Sequence, residues 1–308
     1  MSQNPAHRER PFYALGLRLA AIFCLSTMSA LIKIASERGA HLFEIMFFRQ
    51  GMAIPIVVAF VMMGPGIQSL ATRRIGAHIS RTTAGLVGMI ANFGAVILLP
   101  LAEATTLQFT VPIFATLLSV MMLREMPGIH RWGAVIVGFV GVLIVVQPGA
   151  GGDHFPLYGA AVGLFAAFMV AFISILLRQI GRTETAPTTV FWFSLLSMPP
   201  LGIAYLFVAQ SHDPVTWALL LAIGVIGGLG QMALTAALRW APVSLVVPMD
   251  YSALIWATLY GWVFFAMLPT PATWIGAPII IASGLYIVWR EHRLARANTV
   301  AATTSQPS

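Results

Sequence analysis

The run LYGAAVGLFAAFMVAFISILL at residues 157–177 contains no charged side chain. It is long enough to cross the hydrocarbon core of a bilayer, which takes about 20 apolar residues. Nine further apolar runs lie on either side of it, so the sequence predicts an all-α membrane protein with ten transmembrane helices. The predicted spans are residues 12–34, 42–63, 82–99, 105–123, 132–146, 157–177, 188–208, 216–238, 243–267 and 273–289.

The composition excludes several classes of protein. Hydrophobic residues make up 58% of the 308 residues and charged residues only 9%, whereas about 25% of a soluble protein is charged. No phosphate-binding loop, zinc-protease motif, hydrolase elbow or Cys/His cluster is present. The sequence therefore predicts neither an enzyme nor a bound cofactor or metal. The net charge of +7 comes from arginines between the spans, so it indicates the anionic bilayer surface and no nucleic-acid partner.

The basic residues predict the orientation of the chain. Lys and Arg near the ends of spans are retained on the cytoplasmic side. With a cytoplasmic N-terminus, thirteen of the 17 Lys and Arg residues fall on that side, and only Arg38 falls in an outer loop. We therefore expect a multi-pass inner-membrane protein with both termini cytoplasmic. Its tails are predicted at residues 1–11 and 291–308, and the second tail is expected to be disordered.

The two halves of the chain resemble each other weakly but in order. At an offset of 139 residues the matches are Gly85 with Gly224, Gly88 with Gly227, and Asn92 with Gln231. The predicted repeats cover residues 12–150 and 151–290. Each contains five spans, and an odd number inserts the second half with opposite polarity. Inverted repeats are the architecture of many secondary transporters, whose substrate site lies between the repeats near the midplane.

Several motifs resemble the EamA-type branch of the drug/metabolite transporter superfamily. They are FFR at 47–49, LPLAEAT at 99–105, FTVP at 109–112, RE at 124–125, WGA at 132–134, PMDYSALIWA at 248–257, PTPATW at 269–274 and WRE at 289–291. The similarity covers residues from about 12 to 292 and implies a ten-span inner-membrane carrier. One departure is that the Gly-Glu pair usual before span ten is Ala266-Met267 here, while the first repeat keeps Glu125.

Asp250 is the best candidate for a residue that takes part in transport. It lies in span nine after Pro248, where a charged side chain needs a partner or a wet cavity. It could bind a proton or a cationic group, or it could form a structural ion pair with Arg239 or Arg178. Tyr251 and Tyr260 are candidates for substrate contact, although packing is the favoured interpretation of each.

Polar side chains in spans three, four and eight predict a wet surface. Span four carries a stripe that includes Gln108 and Thr116, and Gln108 lies just before Pro112, where a proline frees a carbonyl for substrate or water. Asn92 and Gln231 occupy matching positions in the third helix of each half. The alternative is hydrogen bonding between helices that only stabilises the bundle.

Three charged residues of the first half suggest gating or charge pairing. Lys33 with Glu44 could form an outer gate, and Arg49 is deep enough in span two for anion binding or helix tying. The sequence thus predicts a secondary transporter for a small polar or amphipathic metabolite, with exchange, facilitated diffusion or proton coupling all open. The alternatives are a flippase for a lipid-linked head group and a non-transporting scaffold. Homodimer formation also stays open.

Overall fold

A computed structural model describes residues 11–123, 128–148, 156–181, 183–237 and 247–304. Within these ranges the chain is helical. The first half contains α1 (Pro11–Glu37), α2 (Leu42–Met62), a 3-10 helix (Ile67–Leu70), α3 (Ile75–Leu98), α4 (Leu101–Gln108), α5 (Val111–Leu123) and α6 (Ile129–Val146). The second half contains α7 (Leu157–Ile180), α8 (Ala186–Val208), α9 (Pro214–Ala237), a second 3-10 helix (Val247–Ser252), α10 (Ala253–Phe265) and α11 (Pro271–Thr304).

The predicted all-α membrane fold is confirmed. Nine segments within the described ranges are long and apolar enough to cross a membrane, and one of them joins α4 to α5. The predicted span 243–267 is described only from residue 247, as the second 3-10 helix and α10. Many large apolar side chains face outward, including Phe207 and Ile136, which is the surface that lipid requires.

Two helix limits differ clearly from the prediction. Helix α3 begins at Ile75 and not at residue 82, because the polar residues of its first two turns extend the helix beyond its apolar segment. Helix α11 continues to Thr304, through the tail that was expected to be disordered. Residues 291–304 contain alanines but neither Gly nor Pro, so nothing in their sequence ends the helix.

The contacts between helices follow the relation expected of inverted repeats. The first helix of each half packs against the third helix of the other half, namely α1 on α9 and α7 on α3. The second helices, α2 and α8, pack together, and so do the fifth, α6 and α11. Each contact therefore has a counterpart when the halves are exchanged, and the prediction of two repeats is confirmed.

The glycines that match between the halves lie at these contacts. A Cβ atom on Gly88 would lie 2.9 Å from Cδ1 of Ile173 in α7. A Cβ atom on Gly227 would lie 2.5 Å from Sδ of Met28 in α1. Glycine allows the helices to approach this closely. The weak similarity between the halves thus reflects equivalent close contacts.

The fourth helix is irregular in both halves, since it is broken in the first half and begins as a 3-10 helix in the second. In the first half α4 ends at Gln108 and α5 begins at Val111, because Pro112 has no N–H to donate to the Gln108 carbonyl. In the second half the 3-10 helix containing Pro248 precedes α10. Helix α4 packs against α10. Irregular helices at matching positions of two inverted repeats are expected to lie near a binding region.

Candidate substrate cavity

A cavity of about 320 Å³ lies between the two halves of the chain. Helices α1, α3 and α4 bound it from the first half, and α9, the second 3-10 helix and α10 bound it from the second. Its polar lining consists of Arg18, Ser26, Ser29, Asn92, Thr105, Gln108 and Asp250. Apolar side chains form the rest of the wall. A mostly apolar cavity of this size with a few convergent polar groups is typical of a small-molecule site.

An ion pair joins the halves across this cavity. Nε of Arg18 donates to Oδ1 of Asp250 at 2.6 Å, and Nη2 donates to Oδ2 at 2.5 Å. Arg18 is buried, whereas the Asp250 side chain is 38% exposed. The sequence suggested Arg178 or Arg239 as partner, but the side chain of Arg178 and all of Arg239 lie outside the described part of the chain. From its place near the start of span one, Arg18 is expected to reach the inner lipid head groups. That expectation is wrong, because its guanidinium is turned inward onto Asp250.

Two amide side chains offer open hydrogen-bonding groups to the cavity. Asn92 lies on α3 and Gln108 at the end of α4, and both line the cavity. Nε2 of Gln108 is buried and has no protein acceptor in the described ranges. Such an unpaired donor costs free energy unless water or a ligand accepts from it. The pair therefore supplies donors and acceptors that the protein itself leaves free.

Four other predicted substrate residues lie away from the cavity lining. The hydroxyl of Thr116 donates to the Pro112 carbonyl at 3.0 Å. Tyr251 packs edge-on against Phe109. The remaining two are Tyr260, whose hydroxyl is 2.7 Å from Oγ1 of Thr27, and Gln231, which is half-buried in α9.

The helix break explains why only the first part of the polar stripe of span four lines the cavity. Thr105 and Gln108 precede the break and line the cavity. Thr116 and Ser119 follow it in α5, and their hydroxyls bond to their own helix backbone. Periodicity counted through Pro112 assumed one continuous helix. Asn92 and Gln231 occupy matching positions in the two repeats, but only Asn92 lines the cavity.

The predicted pair of Lys33 and Glu44 does not form. Nζ of Lys33 donates to carbonyls at the C-terminal end of α3, most closely to that of Leu99 at 2.8 Å. These carbonyls have no partner within the helix, so the ammonium group caps them. Glu44 accepts from the backbone N–H of His41 at 2.8 Å and contacts Nε2 of His212 at 3.1 Å. Each side chain thus stabilises a different helix end.

A second acid–base cluster ties the end of α1 to the loop before α9. Asp213 accepts from the hydroxyl of Thr216, and one oxygen also accepts from Nη2 of Arg38 at 2.9 Å. These hydrogen bonds, first that of Thr216 and then that of Arg38, lower the pKa of Asp213 to about 2. Because the folded pKa lies below the ordinary value of 3.8, the linkage stabilises the fold above about pH 4 and is lost as the pH falls through about 2.

Titration of Asp213 should therefore not contribute to the pH dependence of the predicted transport near physiological pH. We expect Asp213→Asn to leave the dependence of the transport rate on pH between 5 and 8 unchanged, because the carboxyl stays ionised throughout that range. Uptake by reconstituted vesicles at graded pH measures this. A changed profile would mean that Asp213 titrates far above its expected range.

Sequence reasoning missed the contribution of α1 to the cavity. Arg18, Ser26 and Ser29 all line it, and their spacing puts them on one face of a helix. That stripe was readable from the sequence. The stripe was missed because Arg18 was expected to lie at the lipid head groups and not in the cavity.

The chain matches known proteins along most of its length. A family model described as the EamA-like transporter family matches it twice, at residues 12–147 and 157–289. The chain belongs to the EamA-like transporter family. The double match agrees with the two structural repeats of this EamA-like transporter.

Its relatives are transporters of different metabolites. The chain is 30% identical over 253 residues to a riboflavin transporter of Vibrio cholerae, covering 81% of this chain and 84% of the relative. It is 29% identical to a pseudopaline exporter of Pseudomonas aeruginosa, covering 87% and 93%. It is 26% identical to an S-adenosylmethionine uptake transporter of Rickettsia felis, covering 82% and 85%. These names describe transporters and not enzymes.

The fold also matches a solved crystal structure. That chain superposes with a TM-score of 0.61 at 20% identity, covering 91% of this EamA-like transporter and 98% of the other chain. The likeness supports the fold alone. This EamA-like transporter is a multi-pass membrane protein whose two repeats enclose a mostly apolar cavity with a few polar groups.

Proposed function

We propose that the protein is a secondary carrier that moves a small polar or amphipathic metabolite across the inner membrane by alternating access, with both termini in the cytoplasm. The observation that carries the proposal is the cavity between the halves, where the Arg18–Asp250 pair joins one repeat to the other. A group that bridges both halves can hold one side closed and release it when the halves move apart.

The lining favours a ligand with both polar and apolar parts. Asn92 and Gln108 provide amide donors and acceptors, and the ion pair provides a separate cation and anion. Aliphatic side chains such as Val96 and Leu101 cover the remaining wall. A ligand that formed hydrogen bonds with the amides and packed against these apolar side chains would contact the whole cavity lining. The named cargoes of the relatives, riboflavin, pseudopaline and S-adenosylmethionine, are small-molecule metabolites, which favours such a cargo here.

Asp250 gives the carrier a candidate proton site. A proton on its carboxyl group would weaken the ion pair with Arg18 and loosen the contact between the halves. Exchange and facilitated diffusion would use the same cavity without that step. Transport measured with and without a pH gradient separates the proton-coupled carrier from the other two.

Vesicle uptake tests the proposal directly. The purified full chain is first screened for thermal stabilisation by vitamins, amino acids, nucleosides, polyamines and S-adenosylmethionine. A radiolabelled form of each stabilising compound is then offered to vesicles that contain only this protein. We expect saturable uptake above that of empty vesicles. Lipid movement without metabolite uptake would favour a flippase instead, and a lack of both would favour a scaffold.

Removing the cavity amides should weaken uptake. We expect Asn92→Leu and Gln108→Leu each to raise the half-saturating metabolite concentration several-fold, since a hydrogen bond contributes about 0.5–1.5 kcal/mol and about 1.4 kcal/mol corresponds to tenfold in affinity. Gln179→Leu is the matched control, because Gln179 is exposed near the end of α7. Unchanged uptake in both cavity variants would exclude these amides from the site.

A further inference from the structure

A set of buried or half-buried polar side chains lies outside the central cavity, where α2, α3 and α8 meet. We call it the basic cluster, and it consists of Arg49 and Gln50 of α2, His78, Arg81 and Thr82 of α3, and Ser194 of α8. Helix α8 packs against both α2 and α3. The proposed transport mechanism does not use these side chains. Most of their unsatisfied atoms are hydrogen-bond donors.

Arg49 is buried in α2 and has no acidic partner among the residues that the structure describes. It is 9% exposed, and Nη1 donates to the neutral Oε1 of Gln50. Nε2 of Gln50 in turn donates to the hydroxyl of Ser197 at 3.2 Å, which orients the amide. Nε of Arg49 is buried without an acceptor. The positive charge is therefore only partly compensated by a neutral dipole.

Arg81 of α3 resembles Arg49 in that some of its guanidinium nitrogens are buried without a described hydrogen-bond partner. Its guanidinium carbon lies 3.7 Å from the ring centre of Phe193 in α8, a favourable cation–π contact. Nε and Nη1 of Arg81 are nevertheless buried without a nitrogen or oxygen acceptor among the described residues. The charge of Arg49 also acts on Arg81. Two like charges thus share one region of low dielectric constant, which is costly unless a counter-charge is present.

The surrounding groups leave donors open and supply no anion. The hydroxyls of Thr82 and Ser194 are buried and unpaired in the described ranges, and so are both ring nitrogens of His78. No described carboxylate lies within ion-pairing distance of Arg49 or Arg81. Glu184, whose charge acts on His78, accepts instead from the hydroxyl of Thr72 at 2.7 Å.

We propose that the basic cluster binds a small oxyanion, either a carboxylate or a phosphate group. An oxyanion is the species that matches two guanidinium groups together with hydroxyl donors, because each of its oxygens accepts several hydrogen bonds. Its negative charge removes the repulsion between Arg49 and Arg81. The anion can belong to a free solute or to a lipid head group, and both present the same oxygens to the cluster.

Thermal unfolding of the purified full chain tests this site without measuring transport. Sodium phosphate or sodium acetate is titrated into lipid-free protein in detergent, with sodium chloride at equal ionic strength as the reference. We expect a saturable rise of the unfolding midpoint that chloride does not reproduce. A rise produced only by vesicles of phosphatidylglycerol, and not by phosphate or acetate, assigns the site to a lipid head group.

Substitutions of the two arginines test whether the rise of the unfolding midpoint arises at the basic cluster. Arg49→Gln and Arg81→Gln should each raise the half-saturating anion concentration at least about tenfold, as expected for loss of a charge-assisted hydrogen bond. Arg73→Gln is the matched control, because Arg73 is exposed in the loop before α3. If a Gln variant does not fold, Arg49→Lys keeps the charge but loses the planar fork, and we expect it to fold with weakened anion binding.

Two results would overturn the proposal. The first is that neither phosphate, acetate nor phosphatidylglycerol raises the midpoint above the chloride reference. The second is that the Arg49 and Arg81 variants respond as the original chain does. Neither result bears on the carrier proposal, because metabolite uptake is measured separately and depends on the central cavity.

Discussion

Asp250→Asn is expected to reduce metabolite uptake by about tenfold or more. The substitution removes the charge that Arg18 contacts through two hydrogen bonds and leaves the buried guanidinium without a counter-ion. A hydrogen bond to a charged group contributes about 1.5–3 kcal/mol, so even one such loss suffices. Initial uptake rates in vesicles, normalised to the amount of inserted protein, measure the effect.

A double substitution separates the two roles open to Asp250. Arg18→Met with Asp250→Asn removes both charges, and replacing a whole buried pair is often neutral for stability. If the pair only stabilises the bundle, the double variant regains both its unfolding midpoint and its uptake. If Asp250 carries a proton, the midpoint recovers while pH-driven uptake stays absent.

The control for this experiment is an acid outside the cavity. Asp213→Asn also removes a carboxylate paired with an arginine, but that pair is largely exposed in a loop. We expect its uptake to stay close to that of the original chain. Full uptake with an unchanged pH profile in Asp250→Asn would exclude Asp250 from the mechanism.

Gly224→Ala is expected to destabilise the protein by about 1–3 kcal/mol, the usual cost of overpacking. A Cβ atom at this position would lie 2.6 Å from the carbonyl oxygen of Phe48 and 2.5 Å from Cβ of Met52. Both atoms are fixed to the backbone of α2, so no side-chain rotation relieves the clash. Helices α2 and α9 would have to move apart, and the thermal unfolding midpoint should fall.

The matched control should change stability in the opposite direction. Gly133 lies in α6 with nothing within 4 Å of the position of its Cβ atom. Gly133→Ala therefore gains helix propensity, about 1 kcal/mol, without a clash. We expect a midpoint equal to or above that of the original chain. Equal responses of the two variants would contradict the assignment of Gly224 to a close helix contact.

Much of the fold was predictable because lipid constrains sequence so strongly. A bilayer-spanning helix must be predominantly apolar, so the nine spans of the described ranges were readable as mostly apolar runs. The offset of 139 residues was informative because Gly88 and Gly227 lie at equivalent contacts between helices. The end of α11 was missed, since a polar segment rich in alanine is compatible with helix or disorder.

The candidate site was predictable only in part. Asp250, Asn92 and Gln108 were identified because polar side chains are costly within lipid, and all three line the cavity. The partner of Asp250 was not predictable, because 232 residues separate it from Arg18. It was also not predictable that Gln108 lines the cavity while Thr116 does not, since the break at Pro112 changes the direction in which the later residues point.

The sequence by itself determined that this chain is a membrane protein of two five-helix repeats, because hydropathy and the order of matching residues are properties of the linear chain. The tertiary structure decided which charges meet. It paired Arg18 with Asp250, placed Lys33 on the carbonyls that end α3, and brought Arg49 and Arg81 together with no acid beside them in the described ranges. Partner choice within a bundle depends on how helices approach and turn, and that geometry arises only when both halves pack together.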